Sequence, residues 1–177
     1  ESAGSDPGPA CYGRGGTGAA VTDADVVLGR IDPEGFAGGT LKLNVAAAEA
    51  AVQVAVGEPL QLKGPLAAYG ISEIVDENMA NAARVHAIER GKQMATRTMV
   101  AFGGAAPLHA ARLAEKIGID RIIVPTGAGV GSAIGFLRAP IAYEVVRSLY
   151  MRLDDFDIGR TNKVLRDMQT EARAVVE

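Results

Sequence analysis

The stretch that decides the fold reads Thr98-Met99-Val100-Ala101-Phe102-Gly103-Gly104. This short apolar run ends in two glycines, which predicts a strand buried on both faces and then a tight turn. A helix is predicted next over Ala106–Ile117, with Pro107 in its first turn and Gly118 at its end. A second strand is predicted over Arg121-Ile122-Ile123-Val124-Pro125. Strand, helix and strand in this order form a βαβ unit, whose right-handed crossover makes the two strands parallel.

The glycine pair Gly103-Gly104 ends the first strand, where open parallel sheets bind their ligands. At this place the following helix directs free backbone N–H groups and its positive dipole end toward the crevice. Two residues without a Cβ let a ligand lie directly on the backbone, as a nucleotide requires. A tight turn with no ligand also explains the pair, so the glycines alone leave both interpretations open.

Helical patterns flank the βαβ unit on both sides. The glycine- and proline-rich residues 1–43 predict irregular structure, with a short helix over 22–28 that Thr22 or Asp23 would cap. An alanine-rich run predicts a helix over 45–56. Residues 65–90 predict a long helix that buries an apolar face, formed by Leu66, Ile71, Ile74, Val75, Ala82, Val85 and Ile88.

The last part of the chain predicts a strand over 144–153 and an amphipathic helix over 157–176. From these patterns the chain divides into a loop-rich segment, 1–43, an α/β nucleotide-binding portion, 44–150, and a C-terminal helix, 151–177. The predicted fold class is therefore α/β, with a βαβ core and flanking helices.

Composition excludes several classes of protein. The chain has 177 residues, of which 48% are hydrophobic and 22% are charged, with a net charge of -3. This is the composition of a soluble domain without the basic surface of a nucleic-acid binder. No apolar run is long enough for a membrane span and no leader opens the chain, so we expect a cytoplasmic protein. The single cysteine, Cys11, excludes an internal disulfide framework and a multi-cysteine metal site.

The first methionine of the sequence is Met79, and the chain opens on a loop-like run. We therefore expect an internal or C-terminal piece of a longer polypeptide, with part of its active site outside these residues.

Two strings resemble signatures of the hydantoinase/oxoprolinase family. The first is Val100-Ala101-Phe102-Gly103-Gly104-Ala105-Ala106-Pro107-Leu108-His109-Ala110, followed by Leu113-Ala114 and Ile123-Val124-Pro125. The second opens the chain as Glu1-Ser2-Ala3-Gly4-Ser5-Asp6-Pro7-Gly8-Pro9-Ala10-Cys11-Tyr12-Gly13-Arg14-Gly15-Gly16, followed by Val21-Thr22-Asp23-Ala24-Asp25 and Leu28-Gly29-Arg30. Two long strings in the family's order make the resemblance specific, and it extends over residues 1 to about 140.

The resemblance implies an actin-like ATPase fold, shared with sugar kinases and heat-shock ATPases, and ATP as the cofactor. It also implies that the segment after the first strand contacts adenosine, through Gly103, Gly104, Ala105 and Pro107. Mg²⁺ and the phosphates are expected to be bound mainly outside this chain, so no metal ligand is assigned and the 177 residues alone are expected not to hydrolyse ATP. The segment Gly15-Gly16-Thr17 lacks the aspartate that precedes the glycines in the family's phosphate-binding motifs. We therefore do not assign a phosphate-binding role to it.

The resemblance implies a hydrolase of the hydantoinase A type, also called the N-methylhydantoinase type. Such an enzyme opens cyclic amides such as hydantoins or 5-oxoproline. The implied partners are the small cyclic amide and a second hydantoinase-type subunit or domain, within an oligomer. A subunit of an ATP-dependent ketone carboxylase, and a non-catalytic nucleotide-binding or assembly module, remain as alternatives.

Three polar or nucleophilic residues are candidates for further roles. His109 lies in the first turn of the crossover helix, where it could act as an acid or base, contact a ligand or orient the helix. Cys11 could be a nucleophile, although packing within a loop is the simpler interpretation. Asp23 could cap a helix or serve a substrate or metal site.

Overall fold

The two predicted strands pair in parallel in the computed structural model, which describes residues 3–177. Strand β1 is Met99–Val100 and strand β2 is Ile122–Ile123, with Met99 opposite Ile122. The α-helices of the described residues are, in chain order, α1 (Val21–Val27), α2 (Val45–Val52), α3 (Glu58–Leu60), α4 (Gly64–Glu89), α5 (Ala106–Ile117), α6 (Gly131–Arg138) and α7 (Ile158–Val176). The chain thus has an α/β fold that is rich in helices and contains a small parallel sheet.

Helix α5 crosses between the strands with the predicted bounds. Pro107 stands in its first turn, where the missing N–H costs no helical hydrogen bond. Gly118 ends it in the left-handed conformation with a φ of 72°, and its N–H donates to the carbonyls of Ala114 and Glu115. The predicted βαβ unit is therefore confirmed.

The strands are not buried on both faces, so that part of the prediction is wrong. Val100 is 54% exposed and Ile123 is 48% exposed, whereas Met99 and Ile122 are half-buried. Side chains that alternate in this way belong to a sheet with one covered face.

Helix α4 buries a different face from the predicted one. Its apolar residues Leu66, Ile74, Val85 and Ile88 are more than half exposed. The buried side chains are small or polar, namely Ala67, Ala68, Ser72, Asp76 and Ala80. Helices α1 and α5 pack against α4, and the small side chains allow a close approach while the polar ones form the cluster described below.

Ion pairs fasten α5 to α4 along one side. The guanidinium of Arg112 donates to both carboxylate oxygens of Glu73, at 2.7 and 3.0 Å. Lys116 adds contacts of 3.0 Å to Glu73 and to Glu77. The hydrogen bonds from Arg112 and Lys116 lower the pKa of Glu73 to about 2, so this carboxylate stays charged across the physiological range.

The beginning of the chain packs by short helices and loops. Asn44 caps α2 as a side-chain acceptor for the N–H of Ala47 at 3.0 Å. The core of this region is formed by two groups of buried residues, Cys11, Val26, Leu43 and Ala48, and Ala24, Val52, Ala67 and Ala68.

Contacts divide the chain into two compact units, residues 1–131 and 132–177. In the second unit Asp157 caps α7 by accepting from the N–H of Arg160 at 2.9 Å, and the predicted helix there is confirmed. The predicted strand over 144–153 is wrong, because residues 144–152 form neither strand nor helix. The three-segment division made from the sequence stays a prediction. Within residues 3–177 no helix has the length and apolar character needed to cross a membrane.

Candidate functional site

The glycine pair at the end of β1 leaves its surroundings open. Gly103 has a φ of 100°, which favours glycine, and its N–H donates to the carbonyl of Ala128 at 2.7 Å. A Cβ built on Gly103 or Gly104 would meet no atom within 4 Å beyond the chain neighbours. The turn is therefore held by a hydrogen bond, while the space over it is free for a ligand.

A pocket of about 460 Å³ lies beside Gly104. Gly104 and Leu108 form the wall contributed by the βαβ unit, while Ala105 and Pro107 do not line it. The other wall is the segment after α1, through Arg30, Ile31, Asp32, Gly35, Phe36 and Ala37. This wall was not predicted from the sequence, although Arg30 belongs to the opening family signature.

His109 is buried directly behind the pocket wall. It follows Leu108 on α5 and is 5% exposed. Its Nδ1 lies 2.8 Å from Oδ1 of Asp76, and its Nε2 lies 3.3 Å from Oδ2 of Asp25. Both ring nitrogens thus face carboxylates, which leaves no ring nitrogen directed at a ligand.

Arg30 connects this cluster to the pocket. Its Nη1 lies 3.1 Å from Oδ1 of Asp25 and donates to Oγ of Ser72 at 2.5 Å. Asp25 therefore contacts both Arg30 and His109. The five residues Asp25, Arg30, Ser72, Asp76 and His109, here called the buried cluster, join α1 and the segment after it to α4 and α5.

The buried cluster contains two carboxylates, one guanidinium and one imidazole. Asp25 is 3% exposed and Asp76 is fully buried, so each carboxylate needs a compensating charge or donor. The ring of His109 lies within contact distance of both carboxylates, and Nη1 of Arg30 also pairs with Asp25. Oδ2 of Asp76 has no hydrogen-bond partner within the described part of the chain. Ser72 and Asp76 were missed from the sequence, although polar residues four apart on a predicted apolar helix are a detectable signal.

The side chain of Asp23 holds the first loop of the chain against the start of α1. It is fully buried, and its carboxylate accepts from the N–H groups of Ala10 at 3.2 Å, Cys11 at 2.7 Å and Ala20 at 2.9 Å. Helix α1 begins at Val21, and Asp23 caps it from the third helical position by accepting from the N–H of the N-cap residue Ala20, whereas Thr22 lies inside the first turn and is not the N-cap. The carboxylate is occupied by backbone donors, which favours the structural role over a substrate or metal role.

Cys11 is fully buried beside Asp23. Burial, followed by the hydrogen bond and the negative charge of Asp23, raises the pKa of the Cys11 thiol to about 12. The thiolate is the nucleophilic form, so this environment favours packing over nucleophilic catalysis.

We expect Cys11 to resist thiol reagents at pH 8 in the native protein and to react once the protein is unfolded. The unfolded thiol ionises near its ordinary pKa of 9.0, whereas the folded one stays protonated up to about 12. Its contribution to stability is thus fully present below about pH 9 and is lost as the pH rises toward 12. The absorbance of the chromophore that a thiol reagent releases measures the reaction. Rapid labelling of the native protein at pH 8 would contradict the assignment of Cys11 to a packing role.

A larger cavity of about 770 Å³ lies along the glycine-rich beginning of the chain, and Gly15, Gly16 and Thr17 line it. None of the described residues that line this cavity has a charged side chain. A Cβ on Gly16 would lie 2.0 Å from the carbonyl oxygen of Gly8, so this glycine serves the close approach of two loop segments. Residues 3–177 contain no group of three or more His, Cys, Asp or Glu side chains arranged to hold a metal ion.

The chain is similar in sequence to subunits of known enzymes. It is 38% identical to the caprolactamase subunit alpha of Pseudomonas jessenii, over 95% of this chain and 24% of that protein. It is 46% identical to the acetophenone carboxylase gamma subunit of Aromatoleum aromaticum, over 76% of this chain and 18% of that protein. The chain thus spans about a quarter or less of the length of these relatives.

A solved structure, that of the ATP-dependent caprolactamase from Pseudomonas jessenii, superposes with a TM-score of 0.75 at 36% identity. The match covers 98% of this chain and 26% of that one. Residues 1–145 match the sequence model of the family described as hydantoinase/oxoprolinase. With both signatures inside the matched region, the chain belongs to the hydantoinase/oxoprolinase family.

Proposed function

We propose that this chain forms the adenosine side of an ATP site in an enzyme that opens cyclic amides such as hydantoins or 5-oxoproline. The observation that carries the proposal is the open glycine pair at the end of β1, beside a pocket of about 460 Å³. Family membership supports it, as does the ATP-dependent caprolactamase, since a caprolactam is itself a cyclic amide. The actin-like form of the whole enzyme, a second subunit and a cytoplasmic location belong to the same proposal.

The residues present fit a nucleotide. Gly104 allows the ligand to approach the backbone, and Leu108 and Phe36 offer apolar surface on facing walls of the pocket. ATP would supply a phosphoryl group to the amide oxygen, which makes a poor electrophile open to attack by water. Mg²⁺ is part of the proposal and has no assigned ligand among the described residues.

His109 has the geometry of a positioning residue. Its two carboxylate partners lie on α1 and α4, so the ring fixes the first turn of α5 and with it Leu108 in the pocket wall. We therefore propose that His109 orients the pocket and that the reacting groups are contacted by other residues.

Gly104→Val is expected to weaken ATP binding by the intact enzyme by about tenfold or more, the effect of roughly 1.4 kcal/mol. The branched side chain would occupy the space where the nucleotide lies, while the fold has room for it because no atom lies within 4 Å of the added Cβ. Titration calorimetry with ATP measures the affinity. Gly135→Val, at a glycine of α6 with equally open surroundings, is the control. Unchanged ATP affinity in a folded Gly104→Val enzyme would refute the adenosine assignment.

A ketone carboxylase subunit is the second candidate, favoured by the 46% identity to the acetophenone carboxylase gamma subunit. The two enzymes differ in what stimulates ATP hydrolysis. Phosphate release by the intact enzyme with its partner should rise with hydantoins or 5-oxoproline in the first case, and with ketone plus bicarbonate in the second. ATP binding without stimulated hydrolysis by any of these compounds would favour the non-catalytic module.

A further inference from the structure

We propose that Arg30 binds the phosphate nearest the ribose of the bound adenine nucleotide, in the pocket beside Gly104. The inference rests on the proposed function, because it takes the ligand of that pocket to be a nucleotide. It adds a phosphate contact to the adenosine contacts, and it assigns that contact to the segment after α1.

The guanidinium of Arg30 has donor groups that make no hydrogen bond within residues 3–177. Both of its side-chain contacts, to Asp25 and to Ser72, are made by Nη1. Nε and Nη2 have no hydrogen-bond partner within residues 3–177, and the side chain is 25% exposed where it lines the pocket. A guanidinium with a free edge is suited to phosphate oxygens, which it can bind with two parallel hydrogen bonds.

Arg30 is also held in place before any ligand binds. Its backbone N–H donates to the carbonyl of Asp25 at 2.9 Å, and its Nη1 is fixed by Asp25 and Ser72. A side chain that is already ordered loses little conformational entropy on binding. The buried cluster thus anchors the arginine from behind while the free edge remains available.

The charges of the pocket suit a nucleoside monophosphate unit. The carboxylate of Asp25 contacts both Arg30 and His109, and on Arg30 it engages Nη1 alone. Among the described residues that line the pocket, Asp32 is the other charged one, and its Oδ1 accepts from the N–H of Glu34 at 3.0 Å. A carboxylate repels phosphate but accepts hydrogen bonds from ribose hydroxyls. A ligand with an anionic group at Arg30 and hydroxyls at Asp32 satisfies both residues.

The test compares AMP with adenosine, because these ligands differ only in the phosphate. In the intact enzyme, Arg30→Gln should weaken AMP binding by about tenfold or more, the usual size of a lost charge-assisted hydrogen-bond pair. Arg30→Lys should give an intermediate loss, since it keeps the charge beside Asp25 but not the planar fork. Adenosine affinity should stay the same in all three proteins. Arg121→Gln, at an exposed arginine before β2, is the matched control.

Unchanged AMP affinity in Arg30→Lys and Arg30→Gln, or an equal loss for AMP and adenosine, would overturn the proposal. If Arg30→Gln does not fold, Arg30→Lys and Ser72→Ala replace it, because both keep a cation beside Asp25. Tripolyphosphate separates this inference from the proposed function. A wild-type enzyme that binds neither adenosine nor AMP refutes the adenosine site, and Arg30-dependent tripolyphosphate binding would then still support the anion contact. Loss of all binding, tripolyphosphate included, refutes both.

Discussion

Replacing His109 with alanine is expected to lower the local free energy of unfolding around α5 by about 3 to 5 kcal/mol. The ring lies between Asp76 and Asp25, both nearly inaccessible to water. Without the ring, Asp76 keeps no side-chain hydrogen-bond partner among residues 3–177, and a buried carboxylate without a partner is among the costliest defects in a protein core. Amide hydrogen exchange of the intact enzyme, followed at α5, measures this local free energy.

The double variant His109→Leu/Asp76→Leu provides the control for this prediction. It removes the ring together with the buried carboxylate that the ring contacts, and it leaves Asp25 paired with Arg30. Replacing a buried pair with apolar residues is often neutral or even stabilising, and we expect much of the loss to be recovered. Equal exchange rates at α5 in the wild type and in His109→Ala would show that the ring does not stabilise this helix.

The sequence was sufficient to predict the βαβ unit because its signals are local. Pro107 and Gly118 mark the two ends of α5 by backbone chemistry that acts within one turn. The parallel pairing of Met99 with Ile122 follows from the handedness of the crossover, which holds for any such connection. These features do not depend on which other element lies next to the unit.

The buried face of α4 could not be predicted in the same way. Apolar periodicity selected Ile74 and Val85, yet Ser72 and Asp76 are the buried residues. Their burial is favourable only because Arg30 and His109 contact them from distant parts of the sequence, and His109 lies 33 positions after Asp76. A pattern within one helix carries no information about such distant partners.

The composition of the pocket could likewise be predicted only in part from the sequence. The family resemblance predicted that the glycine pair after β1 contacts the ligand, but the opposite wall of the pocket begins at Arg30, more than seventy residues earlier. The quoted opening signature contained Arg30 and still gave no indication of which part of the chain it would face. Packing of α1 and α5 against α4 brings the two signatures to one pocket.

Replacing Asp23 with alanine is expected to destabilise the beginning of the chain by at least about 3 kcal/mol, because three N–H groups lose their acceptor at a cost of about 1 to 3 kcal/mol each when buried. These donors belong to Ala10, Cys11 and Ala20, and the carboxylate that joins them is fully buried. The short 3₁₀ helix Ala10–Tyr12 and the start of α1 would then separate. Hydrogen exchange of the Cys11 amide reports this opening, and labelling of the Cys11 thiol provides a second signal.

Asp23→Asn is the matched variant for this last prediction, since it keeps the size of the side chain and one acceptor oxygen. Its amide NH₂ would replace one carboxylate oxygen and could not accept a hydrogen bond from a backbone N–H. We therefore expect Asp23→Asn to lose some stability, but less than Asp23→Ala loses. The order follows from counting acceptors alone. If Asp23→Asn and Asp23→Ala open the Cys11 amide equally, the negative charge matters more than the number of hydrogen bonds. If neither variant accelerates exchange, the carboxylate does not hold the two loop segments together.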